Sequence, residues 1–283
     1  MSERSAGTIG AESERSEGTI GSSEPLILTS DADGIRTVTL NRPAARNAFD
    51  TALYTAAGSA LDAADADDTV KVVILNGAGK GFSAGQDLKE MANLSARSAE
   101  ESGAQGGGGA DAGEHGFSVF INAIESFSKP LIAAVHGNAI GIGTTMLPYC
   151  DIVVVADDAR FRLPFVPLGV VPEAGSSFTI PMVMGHQQAN YLLLSGEWLD
   201  GPGAVAAGLA LRCVPAADLL AEAGALAAAL AAGPLSSLQA TKRLVRAGWL
   251  DAAQAARTRE EEVFSTLLGH GASKDALDEF LAR

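Results

Sequence analysis

The chain has 283 residues and a formal charge of −14, from 20 Lys and Arg against 34 Asp and Glu. That balance excludes a broad basic footprint for nucleic acid, so an anionic ligand would have to be held by a local basic cluster. A hydrophobic share of 47% over this length is enough for a substantial core, in one large domain or one domain with an appendage.

Residues 1–24 hold a near-repeat, Ser2-Glu3-Arg4-Ser5 through Gly10 and Ser13-Glu14-Arg15-Ser16 through Gly21. Rich in Gly, Ser and Glu, this segment cannot repay its ordering entropy, and two copies are too few for a repeat fold, so a flexible tail is expected. Leu26–Thr29 and Ile35–Leu40 read as a hairpin around Asp31-Ala32-Asp33-Gly34. Asp50 is placed to cap a helix from Thr51 to about Ala66. Val70–Leu75 reads as a buried strand. A long loop, 90–115, follows with the glycine run Gly106 to Gly109, and then a helix near His115–Phe127. Leu131–Val135 is a second buried strand, leading through Gly141 to a helix toward Tyr149, and Ile152–Ala156 is a third. From about Pro202 the pattern is helical, with little strand signal.

Strands alternating with helices, then helices alone, predict an α/β core over 25–200 and a helical region over 201–283. The many Ala and Leu positions of that region suit burial against another subunit, and equally a return onto the chain's own core. The apolar stretch Asp218 to Gly233 is interrupted by Glu222 and too short to span a bilayer. The start of the chain is polar, and Leu281-Ala282-Arg283 is not a peroxisomal address. Cys150 and Cys213 match no metal or redox spacing. A cytoplasmic protein with free thiols and no membrane partner is the expectation.

Two glycine-rich segments invite a nucleotide reading. Asn76-Gly77-Ala78-Gly79-Lys80-Gly81 has Ile74 where a phosphate loop needs glycine, and Gly81 where it needs Ser or Thr. Gly141-Ile142-Gly143-Thr144-Thr145-Met146 lacks the third glycine of a dinucleotide fingerprint. Both matches fail. Taken together, however, Ser83-Ala84-Gly85-Gln86-Asp87 and Gly141-Ile142-Gly143 each follow a buried strand, and the second opens a helix whose first N–H groups are unpaired. If those strands are neighbours, two backbone donors converge on one oxyanion, each worth roughly 3 kcal/mol in a transition state. Downstream, Val171-Pro172-Glu173-Ala174-Gly175 offers one carboxylate, which serves either as an acid–base group or as a favourable charge in a first helical turn.

The ordered series Asn41-Arg42-Pro43, Asn47-Ala48-Phe49, Phe82-Ser83-Ala84-Gly85-Gln86-Asp87-Leu88, Ala133-Ala134-Val135-His136-Gly137, Ala139-Ile140-Gly141-Ile142-Gly143, Cys150-Asp151-Ile152 and Pro167-Leu168-Gly169-Val170-Val171-Pro172-Glu173 resembles the crotonase, or enoyl-CoA hydratase/isomerase, superfamily. The resemblance runs from about residue 25 to the end. It implies a spiral of ββα units with a C-terminal helical region that mediates homotrimers or dimers of trimers, and an acyl-CoA thioester as substrate. The thioester oxygen would accept from the N–H groups of Gln86 and Ile142. Ala84, Gln86, Asp87 and Leu88 would line the coenzyme A moiety, with Arg46, Lys80, Lys89 and Lys242 as phosphate partners. Phe161 and Phe165 would wall the acyl pocket.

Members of this superfamily run several reactions on one scaffold, so the departures matter. Hydratases use two glutamates, and the corresponding positions here are Thr145 and Phe165. Glu173 matches instead the single glutamate of the Δ3-Δ2-enoyl-CoA isomerases. The resemblance therefore implies an isomerase in which Glu173 moves a proton from C2 to C4, with no metal or redox cofactor. Another reaction of the superfamily, hydration included, and a catalytically silent acyl-CoA-binding subunit are the alternatives. His136 and Asp151 read as structural groups.

Overall fold

The computed structural model describes residues 24–93, 112–268 and 270–281. The repeat in the tail, the glycine run at 106–109 and the last two residues lie outside the described residues.

Strand β1 (Ile27–Ala32) pairs antiparallel with β2 (Ile35–Leu40), Ala32 opposite Ile35, so Asp33-Gly34 makes a two-residue turn. Helix α1 (Thr51–Ala66) begins where its cap predicts, Asp50 accepting from Leu53 N at 2.8 Å. Its buried positions Leu53, Tyr54, Ala57, Leu61 and Ala64 recur at helical spacing. With β3 (Val72–Gly77) next in the sheet, they face β1, β2 and helix α2 (Ala112–Ser126), which crosses so closely at Gly58 that a methyl group there would meet Val119 Cγ1 at 2.9 Å.

Strand β4 (Leu131–Val135) leads into β5 (Asn138–Ile140), the one-turn helix α3 (Ile142–Thr145), β6 (Ile152–Ala156) and β7 (Arg160–Arg162). Then come α4 (Ser176–Met184), α5 (His186–Ser195), β8 (Trp198–Asp200), α6 (Gly201–Ala206) and β9 (Arg212–Val214). The helices α7 (Leu219–Ala231), α8 (Leu235–Ala247), α9 (Leu250–Leu267) and α10 (Gly271–Leu281) finish the chain. The described strands form a six-stranded sheet ordered β1-β2-β3-β4-β6-β9, parallel from β2 onward, and a three-stranded sheet β5-β7-β8. The expected α/β class holds. Because β3 and β4 are parallel neighbours, with Val73 opposite Leu131, the segments that leave their C-terminal ends emerge side by side.

One expectation changes, and one of two open placements is taken. The main sheet continues past residue 200, since β9 pairs with β6 through Val154–Arg212 and Ala156–Val214; three residues are too few for a periodicity to show. The Ala-rich stretch also returns to its own core. Leu219, Ala223, Ala227 and Ala231, four residues apart, lie against Val72, Ile74, Ile132, Ala134, Val154 and Ala156 on one face of the sheet. The small side chains let that helix approach the sheet closely. The other face packs on α1 and α2 in a larger core. Among the described residues no single helix is long and apolar enough to cross a membrane.

Candidate active site

The first glycine turn is built from the sides. Asn47 is fully buried, and its amide nitrogen lies 2.9 Å from Ala78 O, 3.0 Å from Gly81 O and 3.2 Å from Phe82 O. Ser83 Oγ donates to Asn47 O, and Ala84 N to Arg46 O. Phe49 then bridges Gln86 in parallel: Phe49 N donates to Gly85 O at 2.7 Å, and Asp87 N to Phe49 O at 2.8 Å. In such a bridge the residue between the two bonded groups turns its own N–H the other way. The Gln86 N–H is therefore directed away from Phe49.

On that far side lies the second turn. Ser83 N donates to Asn138 O and Ile140 N to Ser83 O. A Cβ on Gly85, whose φ is +88°, would stand 2.8 Å from Ile140 O and 3.7 Å from Gly141 N. Only glycine allows two backbones this close with that φ. Gly141 caps α3, with Thr144 N and Thr145 N donating to its carbonyl, so Ile142 is the first residue of the helix and its N–H has no intrahelical acceptor. The two turns thus stand back to back, as the parallel strands require.

Glu173 closes the cleft. Its carboxylate faces Gly141: a Cβ built on that glycine would lie 3.6 Å from Glu173 Oε1. Burial chiefly, then the negative charge of Glu260, raises the Glu173 carboxyl to about 8. A half-buried carboxylic acid with that affinity is matched to taking a proton from carbon near neutral pH.

The turn that carries Glu173 is held on several sides. Ala174 has a left-handed backbone, φ +59°, and its carbonyl accepts from the Tyr149 hydroxyl at 2.8 Å. Glu260 on α9 is 6% exposed and spends both oxygens on this turn, accepting from Gly175 N and Ser177 N, each at 2.6 Å. On the opposite side, buried Tyr54 donates its hydroxyl to Gln86 Oε1 at 2.8 Å. Burial first, then the charges of Glu173 and Glu90, push the Tyr54 phenol well up from its usual range. Tyr54 packs in a ring cluster with Phe49, Phe117 and Phe120.

Sequence reasoning found neither Tyr54 nor Glu260. Tyr54 falls on the apolar stripe of α1 and reads as core. Glu260 sits in Arg259-Glu260-Glu261-Glu262, which reads as a solvated helix face. The only available signal was the burial of one member of that charge run, which sequence alone does not give.

The other named residues divide. Arg46, Lys80 and Lys89 are exposed, and Ala84 and Leu88 are half-buried beside the first turn. The Asp87 carboxylate is occupied: it accepts from Arg42 at 2.7 Å and from the amides of Lys89 and Glu90. Burial works against its charge, yet these bonds hold it below the usual carboxylate range. It fixes the turn rather than reaching for a ligand. Lys242 is corrected as a phosphate partner. It is 7% exposed and donates to Lys129 O at 2.6 Å and Asp151 Oδ2 at 2.7 Å, with Phe127 beneath its ammonium.

Phe161 is buried and lines an interior space with Thr144, Met184, Leu192, Leu199 and Leu209. Phe165 is 4% exposed, and its carbonyl accepts from Val170 N at 2.9 Å, bracing the approach to Glu173. His136 meets Gly79 O at 3.1 Å, and Asp151 accepts from Leu131 N at 2.7 Å; both are structural. Thr145 is fully buried. No group of metal-ligating side chains occurs among the described residues.

Comparison with known proteins matches residues 30–283 to the family model described as enoyl-CoA hydratase/isomerase. The chain is 33% identical to a 2,3-dehydroadipyl-CoA hydratase of Escherichia coli K12 over 91% of its own length and 96% of that protein's. It is 36% identical to enoyl-CoA delta isomerase 2 of Rattus norvegicus over 79% of its length, and spans 55% of that longer protein. Among solved structures, an enoyl-CoA hydratase/isomerase from Pseudoalteromonas atlantica T6c superposes with a TM-score of 0.80 at 32% identity, covering 91% of this chain and 97% of the other.

Proposed function

The chain belongs to the enoyl-CoA hydratase/isomerase family, and on that footing we propose that it shifts the double bond of a 3-enoyl-CoA to give the trans-2-enoyl-CoA. Glu173 takes a proton from C2. The electron pair moves through the former C3–C4 double bond and the thioester carbonyl, so charge gathers on the thioester oxygen, which accepts from Gln86 N–H and Ile142 N–H. The same carboxyl returns its proton at C4, leaving the double bond at C2–C3. The substrate and product are isomers, and no electrons or water are exchanged, so the step calls for neither a metal nor a redox cofactor.

The observation that carries this reading is the Glu173 carboxylate facing Gly141 where the two glycine turns meet, and the resemblance adds that Thr145 and Phe165 stand where hydratases carry glutamates. Hydration needs a positioned water activated by one group and a proton delivered to carbon. A fully buried threonine and a phenylalanine supply neither. The likeness to a named hydratase makes hydration the rival, and one assay separates the two. Turnover of 3-enoyl-CoA by the wild type should exceed hydration of crotonyl-CoA, and Glu173→Gln should lose roughly 10²–10⁴-fold of the isomerase rate. Hydration at comparable rates, or undiminished isomerisation by the variant, overturns the reading. The phosphates of the coenzyme fall to the exposed cations Arg46, Lys80 and Lys89 in this proposal.

A further inference from the structure

We propose that Glu260, carried by α9 in the C-terminal helical region, is the positioning residue for Glu173: it clamps the turn that aims the base and sets the charge around it. The proposal rests on Glu173 being the base.

Three observations meet at this side chain. It comes from 87 positions further along the chain, yet both oxygens are bound to the two amides that flank Ser176, at 2.6 Å each. Those amides stand at the start of α4, where N–H groups lack intrahelical acceptors and favour a negative charge. The peptide so held follows directly on Glu173 through Ala174, whose left-handed backbone needs outside support. Glu260 is also buried, at 6% exposure. A neutral amide on the same arm could accept from only one of those N–H groups. The carboxylate accepts from both, and it also places a second negative charge near Glu173, one of the two causes that raise that carboxyl.

Among the described residues no cation forms an ion pair with Glu260. Arg257, one turn before Glu260 on α9, is directed at Glu125, 3.2 Å away, and at Glu261, 3.4 Å away. Arg246 is spent on the carbonyls of Ile124, Glu125, Phe127 and Tyr149. The remaining titratable groups that face the pair are the Tyr149 hydroxyl, which donates to Ala174 O, and Tyr54 across the cleft. Both are neutral at physiological pH.

The test follows the ionisation of Glu173 without substrate, from the carboxylate infrared band present in each protein and absent from its Glu173→Gln counterpart. It is run on wild type, Glu260→Gln and Glu260→Asp, alongside the pH profile of isomerase kcat/KM. A glutamine can accept only one of the two amides and presents N–H to the other. In Glu260→Gln the midpoint should move toward acid and kcat should fall roughly 10²-fold, the scale for a misplaced catalytic group, with KM little changed. Glu260→Asp keeps the charge on a shorter arm, so its midpoint should stay near that of wild type while kcat falls.

A folded Glu260→Gln protein whose midpoint matches wild type overturns the proposal. If that variant does not fold, a Glu260→Asp protein with wild-type kcat overturns it instead. An infrared midpoint that shifts in a protein without isomerase activity refutes the proposed reaction and leaves this inference standing.

Discussion

Gly141 and Glu173 stand face to face, so close that a methyl group on the glycine would lie 3.6 Å from a carboxylate oxygen. The carboxylate therefore looks directly at the residue preceding Ile142, whose N–H is a donor in the proposed reaction. In the proposed reaction, a thioester whose oxygen accepts from Ile142 N–H would present its C2 toward this carboxylate, as proton transfer beside a carbonyl requires.

Activity should rise with pH. In the proposed reaction the working form of Glu173 is the ionised one, and its carboxyl is raised to about 8. In the free enzyme kcat/KM should climb through pH 8 and level off above it. A profile already flat from pH 6 would show that the base ionises in the ordinary carboxylate range.

Stability should run the opposite way. A carboxyl raised from 4.5 to about 8 binds its proton more tightly folded than unfolded. Its contribution is complete below pH 4.5 and is lost as pH rises toward 8. Glu173→Gln cannot ionise, so it should gain on the wild type as pH rises from 5 to 9, by on the order of a few kcal/mol. Urea denaturation at the two pH values measures this. An equal change in both proteins would refute it.

Gly141→Ala should fold and fail. Its backbone lies at φ +51° and ψ −120°, a conformation that costs a side chain about 1–3 kcal/mol, and the added methyl faces the carboxylate. Thermal melting should show a loss on that scale, with kcat reduced far more than the stability loss accounts for. Wild-type turnover would mean that the cleft has room to spare beside Glu173.

Lys242→Met should unfold the protein more readily without loosening a ligand. The ammonium is buried against Asp151 and Lys129 O, and because Asp151 keeps contact with solvent the loss should fall below the ~3–5 kcal/mol of a fully buried pair. Calorimetric titration with coenzyme A should give a Kd close to that of wild type. By contrast, Arg46→Ala should weaken coenzyme A binding with little change in stability.

Tyr54→Phe removes the hydroxyl that holds Gln86 Oε1. The net loss of one hydrogen bond is about 1 kcal/mol of stability. If that bond also steadies the Gln86 amide, kcat falls while KM holds. An unchanged kcat would confine Tyr54 to packing.

Local signals in the sequence were readable where local physics decides the outcome. Asp50 marks the start of α1 because an aspartate cap satisfies a free amide, and Ile152–Ala156 shows as a strand because a doubly covered parallel strand is apolar throughout. That the two glycine turns meet could be read from glycine and strand order, and the parallel pairing of β3 with β4 sets them together. What escaped depends on contacts between distant parts of the chain. Strand β9 is three residues long and declares itself only by pairing with β6. Lys242 looked like an open cation until α8 laid it against Asp151. Glu260 lies in a charged run whose members are equivalent in sequence, and the packing of α9 on α4 singles it out.

Asn47 has a consequence beyond its own bonds. With one amide nitrogen set against the carbonyls of Ala78, Gly81 and Phe82, it acts as a fixed gauge for the stretch between β3 and Gln86. One inserted or deleted residue there would shift those carbonyls out of reach and drag Gln86 with them. Variation in what homologous chains accept must therefore be sought elsewhere than in the length of this stretch.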